Sequence, residues 1–489
     1  MKKLLGVLIL GLLLSGNAYS EKFEQNINFK NKITVKHFNK WLNDNGHHQY
    51  LDKESDNVSY ILDRSVCKSK ALEEDYNIIK KCIGADGTII PNSDLKFKKI
   101  YPNNLDIKTY RGWIPEENVK PNYDTLVYEL YRFIEQQVKR NQKYEVDPSP
   151  NPYEFSSELI EDKYIDKQLE KTALLSYLRF EDGQITVDKI SPNDRFGKFI
   201  KEDTKLRAMS VGRSMASYTL AHAICEGYID GFDTRLSDWP LLENTLYYNQ
   251  KLSDILNMNS GDHNYIERSE FINSKELDEK FRGSLDNMVS LEEYLYHLKN
   301  TKPSIKKRPR FNYHSINSSI VLNYILFKTG NDFEKILEKT FKEKAKIKNS
   351  VFFFKIKDST RESGNVNIQF YATRYDYLRI AKAMLDDWQN DTCEGKYLKN
   401  IFENSISKDT KRIHAQGKTV SWPFARRYAG QFQTHPKGIN KDRAIMILHG
   451  YGGQHVVIDM ERSRIVVTNA IHENFNYKKI VYSAIKKGK

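Results

Sequence analysis

The sequence predicts an α+β fold, an antiparallel sheet flanked by helices with a helical subdomain and an amino-terminal extension, and three features carry that prediction. A β-prone run from Ala173 to Phe180 is followed by Asp182-Gly183 and a second run from Ile185 to Ile190, the signature of a hairpin. A matching set closes the chain: Arg443 to Leu448 and Gln454 to Asp459 flank a glycine-rich turn, and Ser463 to Asn469 supplies a further strand. Between the two sets the chain reads as mostly helical, so segments distant in sequence must complete one sheet.

The chain opens Met1-Lys2-Lys3, runs through an apolar Leu4 to Leu14 stretch and reaches Ala18-Tyr19-Ser20, a small-x-small site before charged sequence. This predicts a cleavable secretory leader over residues 1–20 and a periplasmic or secreted protein. The apolar run is well short of the roughly 20 residues of a membrane span, and no later run reaches that length, so no transmembrane segment is expected after cleavage. The remainder is long enough to bury one large core and a smaller appendage.

The formal charge of +13 includes Lys2 and Lys3 of the leader, and the basic residues are scattered among nearly as many acids. The densest basic cluster, Lys302 to Arg310, is short and broken by proline, which excludes a nucleic-acid stripe. Four cysteines in an exported chain permit three pairings. Cys67 and Cys82 are the favoured pair, closing a short loop whose chain-entropy contribution is about 3 kcal/mol. Cys225 and Cys393 are left to pair or to remain as buried thiols.

Residues 21–165 are rich in Asn, Lys, Asp and Tyr and read as an appended region. Its clearest helix runs from Tyr123 to Arg140, with Leu126, Leu130, Phe133, Ile134 and Val138 at helical spacing. The cluster Pro148-Ser149-Pro150-Asn151-Pro152 reads as a linker, since prolines stop both helix and strand. Residues 166–489 form the chemical domain.

Within that domain, Ser210 to Glu226 reads as one helix that Gly227 ends. Its apolar and small residues surround the whole circumference, which predicts a buried helix. A serine opening such a helix has free N–H groups and the positive end of the macrodipole beside it, a favourable place for an oxyanion to develop. On this segment alone a simple Ser cap is the plainer reading.

The order of segments adds to it. Ser210-Val211-Gly212-Arg213 is followed by Glu226-Gly227-Tyr228-Ile229 and by Leu252 to Leu256 leading into Asn259-Ser260-Gly261. Then come Phe311-Asn312-Tyr313-His314-Ser315-Ile316-Asn317 and an apolar helix ending at Thr329-Gly330, a segment from Phe370 to Arg379, and Tyr451-Gly452-Gly453-Gln454. This succession, from about Thr172 to Lys489, resembles the β-lactamase, penicillin-binding protein and carboxylesterase superfamily, particularly its 6-aminohexanoate-dimer-hydrolase-like branch. The resemblance implies a β-lactamase/DD-peptidase-like fold and an acyl-enzyme at Ser210. It puts Tyr313 and Ser315 in the Tyr-x-Ser motif and makes Asn317, beside them, a substrate-binding residue. It makes Tyr451, Gly452 and Gly453 the substrate-binding edge, and the N–H groups of Ser210 and Gln454 the oxyanion donors.

One residue departs from the pattern. The family has lysine three positions after the serine, one turn along the same face, where its amine takes the hydroxyl proton. Arg213 stands there, and an arginine is a fixed cation that cannot act as a base. Three readings are open. Tyr313 is the base, its phenolate favoured by the neighbouring guanidinium; or catalysis is impaired and the cleft binds a ligand or partner; or the chain is a scaffold. A substrate would be a small ester, an amide or a peptide, and a true β-lactamase is disfavoured because Tyr451-Gly452-Gly453 stands for Lys-Thr-Gly.

Other residues read more plainly. His47-His48 belongs to a polar loop and His222 to the helix core, while His449 and His455 flank the glycine turn as strand residues, with substrate orientation the alternative. No Cys-x-x-Cys, His-Glu-x-x-His, phosphate loop or dinucleotide fingerprint occurs, so no metal or other cofactor is expected.

Overall fold

The computed structural model describes residues 123–134, 140–262, 290–296, 298–303, 311–356, 359–408 and 425–487, with Tyr265 and short strands at Ile61–Leu62, Phe97–Lys98, Ile266–Glu267 and Phe271–Ile272. The secretory leader, His47-His48 and the expected Cys67–Cys82 bridge lie outside the described residues. The chain divides into two compact units. One comprises Met1–Pro115, Pro121–Thr125 and Lys275–Met288, and in it Ile61–Leu62 pairs antiparallel with Phe97–Lys98. The other comprises Glu116–Lys120, Leu126–Ser274 and Val289–Lys489, and all that follows concerns it.

Its main sheet is built from both ends of the domain, as the two sets of strand signals require. In chain order the strands are β2 (Ser156–Ser157), β3 (Leu174–Glu181), β4 (Gln184–Ile190), β8 (Ile406–Ser407), β9 (Ala425–Ala429), β10 (Phe432–Pro436), β11 (Ile445–Gly450), β12 (Gln454–Asp459) and β13 (Arg464–Ala470). Their spatial order is β8-β9-β10-β11-β12-β13-β3-β4-β2, antiparallel except for the β2–β4 pair. The closing contact between distant segments is β13 on β3, with Ile465 opposite Phe180 and Thr468 opposite Tyr177. The β3–β4 turn has Asp182 at φ 50° and Gly183 at φ 88°, the left-handed pair whose twist suits a tight hairpin. A smaller antiparallel sheet orders β1 (Lys143–Val146), β6 (Val351–Lys355), β7 (Val366–Ala372) and β5 (Leu206–Arg207) as β1-β6-β7-β5.

Hydrogen-bonded structure therefore begins before residue 166, where the sequence placed the domain boundary. In helix α1 (Tyr123–Phe133), which stops short of the expected Arg140, Leu126, Val127, Leu130, Tyr131 and Phe133 are buried. The segment read as a linker is fastened at both ends, Ser149 N to Ile347 O at 2.9 Å and Tyr153 N to Lys346 O at 2.9 Å. Proline removes its own donor but leaves those of its neighbours, so a proline-rich stretch can still be pinned along a surface.

Both faces of the main sheet are covered. On one, helix α2 (Lys163–Lys171) lays Ile165 and Leu169 against Leu174, Tyr177 and Val466, and the carboxy-terminal helical segments Lys478–Tyr482 and Ser483–Lys486 add Ile480, Val481 and Ile485. On the other lie helix α3 (Val211–Cys225) and helix α6 (Arg374–Gln389). Burying an aliphatic side chain of this size contributes roughly 1.5–3 kcal/mol.

Helix α3 is the axis of the domain. Every residue from Val211 to Ala223 is buried, as its all-round apolar pattern predicts. It packs against helix α5 (Ser315–Thr329) and strand β7, and Gly212 makes the second contact possible, because a methyl group there would overlap the Ile368 carbonyl. Its last residue, Cys225, forms a disulfide with Cys393, the first residue of helix α7 (Cys393–Glu403), with Cα atoms 5.8 Å apart. Of the two fates the sequence left to these cysteines, pairing is the one realised.

Candidate active site

Ser210 stands immediately before α3, part-buried, at φ −70° and ψ −5°, and its hydroxyl caps no backbone N–H. The chain reaches it through Met209 at φ +52°, a left-handed conformation that a non-glycine residue holds only when its surroundings impose it. Two contacts impose it. Ala208 N donates to Phe370 O at 2.7 Å, which fixes the approach to β7. On the other side, Gly450 at the end of β11 lies so close that an added Cβ would come 2.5 Å from Ala208 O and 3.1 Å from Met209 Cβ. The Tyr451-Gly452-Gly453 turn, with the glycines at φ 80° and 99°, therefore starts beside the serine. Tyr451 is exposed, whereas Gly452 and Gly453 are buried.

Gln454 begins β12 opposite Gly450. Its side chain points into the sheet's interior, donating to Ala470 O and accepting from Asn469 Nδ2 at 3.3 Å. Only its backbone is left to serve a cleft.

Arg213 is one turn into α3 and nearly completely buried. Its guanidinium is turned toward the start of α5: Nη1 donates to His314 O at 2.7 Å and to Ser318 Oγ at 2.8 Å, and Nη2 donates to Ser315 Oγ at 3.1 Å. These acceptors are all neutral oxygens. The guanidinium carbon also lies 4.5 Å from the centre of the Tyr313 ring, a cation–π contact with the ring face. Tyr313 packs in turn edge-on against Tyr428 at 6.0 Å. The arginine thus brings Ser315 and Tyr313 to the beginning of α3 as a clamp. Asn317, expected to face substrate, is wholly buried. Its Oδ1 lies 3.1 Å from Ser260 Oγ and its Nδ2 3.6 Å from Met258 Sδ, so its amide serves the interior.

Two supporting groups escaped the sequence reading. Asp262 follows the noted Ser260-Gly261 turn and is fully buried, 2.5 Å from His314 Nε2 and 2.8 Å from Asn312 Nδ2. Burial opposes its charge, but His314 and the hydrogen bonds from Asn312 and Ser260 outweigh that and hold the carboxyl below its usual range. Since His314 also accepts from Arg213, Asp262 fixes the loop that carries Tyr313. The only hint in sequence was that Asn312 and His314 alternate around Tyr313.

Gln431 is the second. With Gly430 at φ 53° and Gln431 at φ 75° it forms the β9–β10 turn, and it joins four elements. Its Oε1 accepts from Ser318 Oγ at 2.6 Å and its carbonyl from Ser214 Oγ at 2.7 Å, while its Nε2 donates to Leu256 O at 2.9 Å, in helix α4 (Leu252–Leu256). No motif marks it, because its partners are scattered over the chain.

Behind the glycine turn lies a group of titratable residues. Burial pushes the His449 and His455 imidazoles down to about 3 and the Lys408 amine down to about 7, and raises the Glu473 carboxyl. Lys408 Nζ donates to Gln433 Oε1 at 3.2 Å. His222 is a core residue as expected, in contact with Glu394 at 3.2 Å through Nδ1.

No protein-family model matches the chain, and no curated protein does. Solved structures do match its fold. A putative 6-aminohexanoate-dimer hydrolase from Bacillus anthracis aligns at a TM-score of 0.50 and 14% identity, over 70% of this chain and 88% of that one. A D-stereospecific amidohydrolase from Streptomyces sp. aligns at 0.47 and 11%, over 68% of this chain and 100% of the other. FmtA from Staphylococcus aureus aligns at 0.44 and 17%, over 69% and 93%. At these identities the likeness is one of fold. Among the described residues, no helix is long and apolar enough to cross a membrane.

Proposed function

We propose that this chain, which has the fold of the β-lactamase and penicillin-binding-protein type of serine hydrolase, is an exported esterase or amidase that works through an acyl-enzyme at Ser210. The observation that carries the reading is the state of Ser210: a hydroxyl that caps nothing, at the start of a wholly buried helix, with the glycine turn pressed against the residues before it. Helix-terminal N–H groups and the macrodipole favour negative charge at that point. Export is supported by the Leu4 to Leu14 leader pattern and by a disulfide, which persists in oxidising compartments.

In the proposed reaction Tyr313 takes the Ser210 proton as Oγ bonds to the substrate carbonyl carbon. The carbonyl electrons move to oxygen, which is held by the N–H of Ser210 and by an N–H of the Tyr451–Gln454 turn, Gln454 being the residue the motif assigns. Collapse expels the alcohol or amine, which leaves with the proton from Tyr313, and water releases the acid by the same steps. Arg213 is a permanent cation that holds Ser315 and the Tyr313 ring in place and stabilises negative charge arising near them. Fluorophosphonate labelling and a panel of p-nitrophenyl esters test this. Label on Ser210, absent in Ser210→Ala, with ester turnover is the expected result; an unlabelled wild-type chain with no turnover removes it.

A second reading rests on the same arginine. Three hydrogen bonds tie it to His314, Ser315 and Ser318, so the site is held together without any base at that position, as a ligand-binding cleft would be. Thermal shifts with carboxylates and short peptides, alongside absent turnover, would favour it.

A further inference from the structure

The glycine turn beside Ser210 is flanked by two histidines, and a carboxylate from a third segment meets them. His449 is the penultimate residue of β11, His455 the second residue of β12, and Glu473 lies in the loop after β13. One ligand atom from each falls within 4.8 Å of the other two. His449 Nδ1 is 3.0 Å from His455 Nδ1, and His455 Nε2 is 3.3 Å from Glu473 Oε1. Two ligand atoms on one tetrahedral zinc stand about 3.3 Å apart at ordinary bond lengths, so His455 Nε2 and Glu473 Oε1 already have the separation of two ligands.

The second observation is unmet bonding capacity. His455 is wholly buried, yet its Nε2 has no hydrogen-bond partner, and neither has Glu473 Oε1. Native interiors seldom leave such atoms unpaired, and an ion is one of the regular reasons when they do. His449 and Glu473 are only part-buried, which leaves a path by which an ion and a fourth, water ligand can enter. No local motif announces the group, since its members come from the ends of three neighbouring strands.

From this we infer that His449, His455 and Glu473 form a zinc(II) site, with His455 Nε2, Glu473 Oε1 and one nitrogen of His449 as ligands. The site is structural. It ties β11, β12 and the loop after β13 together across the base of the Tyr451-Gly452-Gly453 turn, and so sets where the turn lies against Ala208 and Met209.

The test uses the full mature chain, stripped with a chelator and titrated with zinc or cobalt(II) alone. Expected are one zinc per chain by elemental mass spectrometry, the visible absorption of tetrahedral cobalt(II), and a higher Tm with zinc. Glu473→Gln, nearly isosteric, should weaken binding at least tenfold with an unchanged circular dichroism spectrum. His449→Ala should remove the cobalt band. Less than a tenth of an equivalent of zinc on the wild-type chain, or wild-type affinity in Glu473→Gln, overturns the inference. Should both variants fail to fold, the wild-type stoichiometry and cobalt spectrum decide it alone.

Discussion

The two ends of helix α3 have opposite characters. At its carboxy end four side chains are committed to the neighbouring helices: Cys225 is bonded to Cys393, His222 contacts Glu394, Tyr218 donates to Asp387 at 2.5 Å, and Ser217 lies 2.9 Å from the Tyr397 hydroxyl. At its amino end the Ser210 hydroxyl caps nothing, and the first charged side chain, Arg213, is turned toward α5. The lesson is one of division of labour. The reaction proposed for Ser210 needs an unengaged group held to within fractions of an ångström, and anchoring the far half of the same rigid helix would supply that precision without touching the group.

Opening the anchored end should have the largest effect. The Cys225–Cys393 bond closes a sequence separation of 168 residues, for which chain entropy gives on the order of 5 kcal/mol as an upper figure. Cys225→Ser with Cys393→Ser should lose stability approaching that value in urea unfolding, while Ser210 labelling in the still-folded fraction persists. Loss of labelling in folded protein would show that the far end also shapes the serine.

At the open end, Arg213→Lys restores a titratable amine one turn from Ser210. Ester hydrolysis should rise on the order of 10²-fold, the lower range for general base catalysis. A flat result would mean that Ser210 or its oxyanion donors are misaligned as well. Arg213→Ala probes the clamp instead. It removes three hydrogen bonds from a charged donor and leaves His314 O, Ser315 and Ser318 to find other partners, so stability should fall by about 2–4 kcal/mol in denaturant titration.

The smallest expected effect is a pH dependence. The hydrogen bond from His222, working against burial, holds Glu394 down to about 2 from 4.5. A carboxyl depressed in the folded state binds its proton more weakly there than in the unfolded chain. Its stabilisation is therefore full above about 4.5 and is lost as pH falls toward 2. Glu394→Gln should flatten this part of the acid limb in thermal melts recorded between those values. An unchanged slope would assign acid sensitivity elsewhere, with Asp262 the next group to test.

Much of the fold was legible because it is written in local pattern. The Asp182-Gly183 turn, the strands around Tyr451 to Gln454 and the buried circumference of α3 each lie within a short window, and periodicity and turn chemistry act over such windows. The domain boundary was less legible, since Pro148 to Pro152 carries the composition of a linker while its fastening to Lys346 and Ile347 depends on residues nearly 200 positions away. Asn317 shows the same limit inside a motif, where position by sequence spacing did not say which way the side chain would turn.

What the sequence by itself determined was the class of fold, the place of Ser210 at the start of a buried helix, and the presence of a permanent cation where a base is customary. These follow from residue type and spacing alone. Only the tertiary structure decided what that cation does, because the acceptors of Arg213 come from α5, about a hundred residues downstream. It likewise decided that Asp262 backs His314, that Gln431 ties four elements together, and that His449, His455 and Glu473 converge. Each of those arrangements is a meeting of side chains from separate strands and helices. The register and packing that create it exist only once the sheet has closed between β3 and β13.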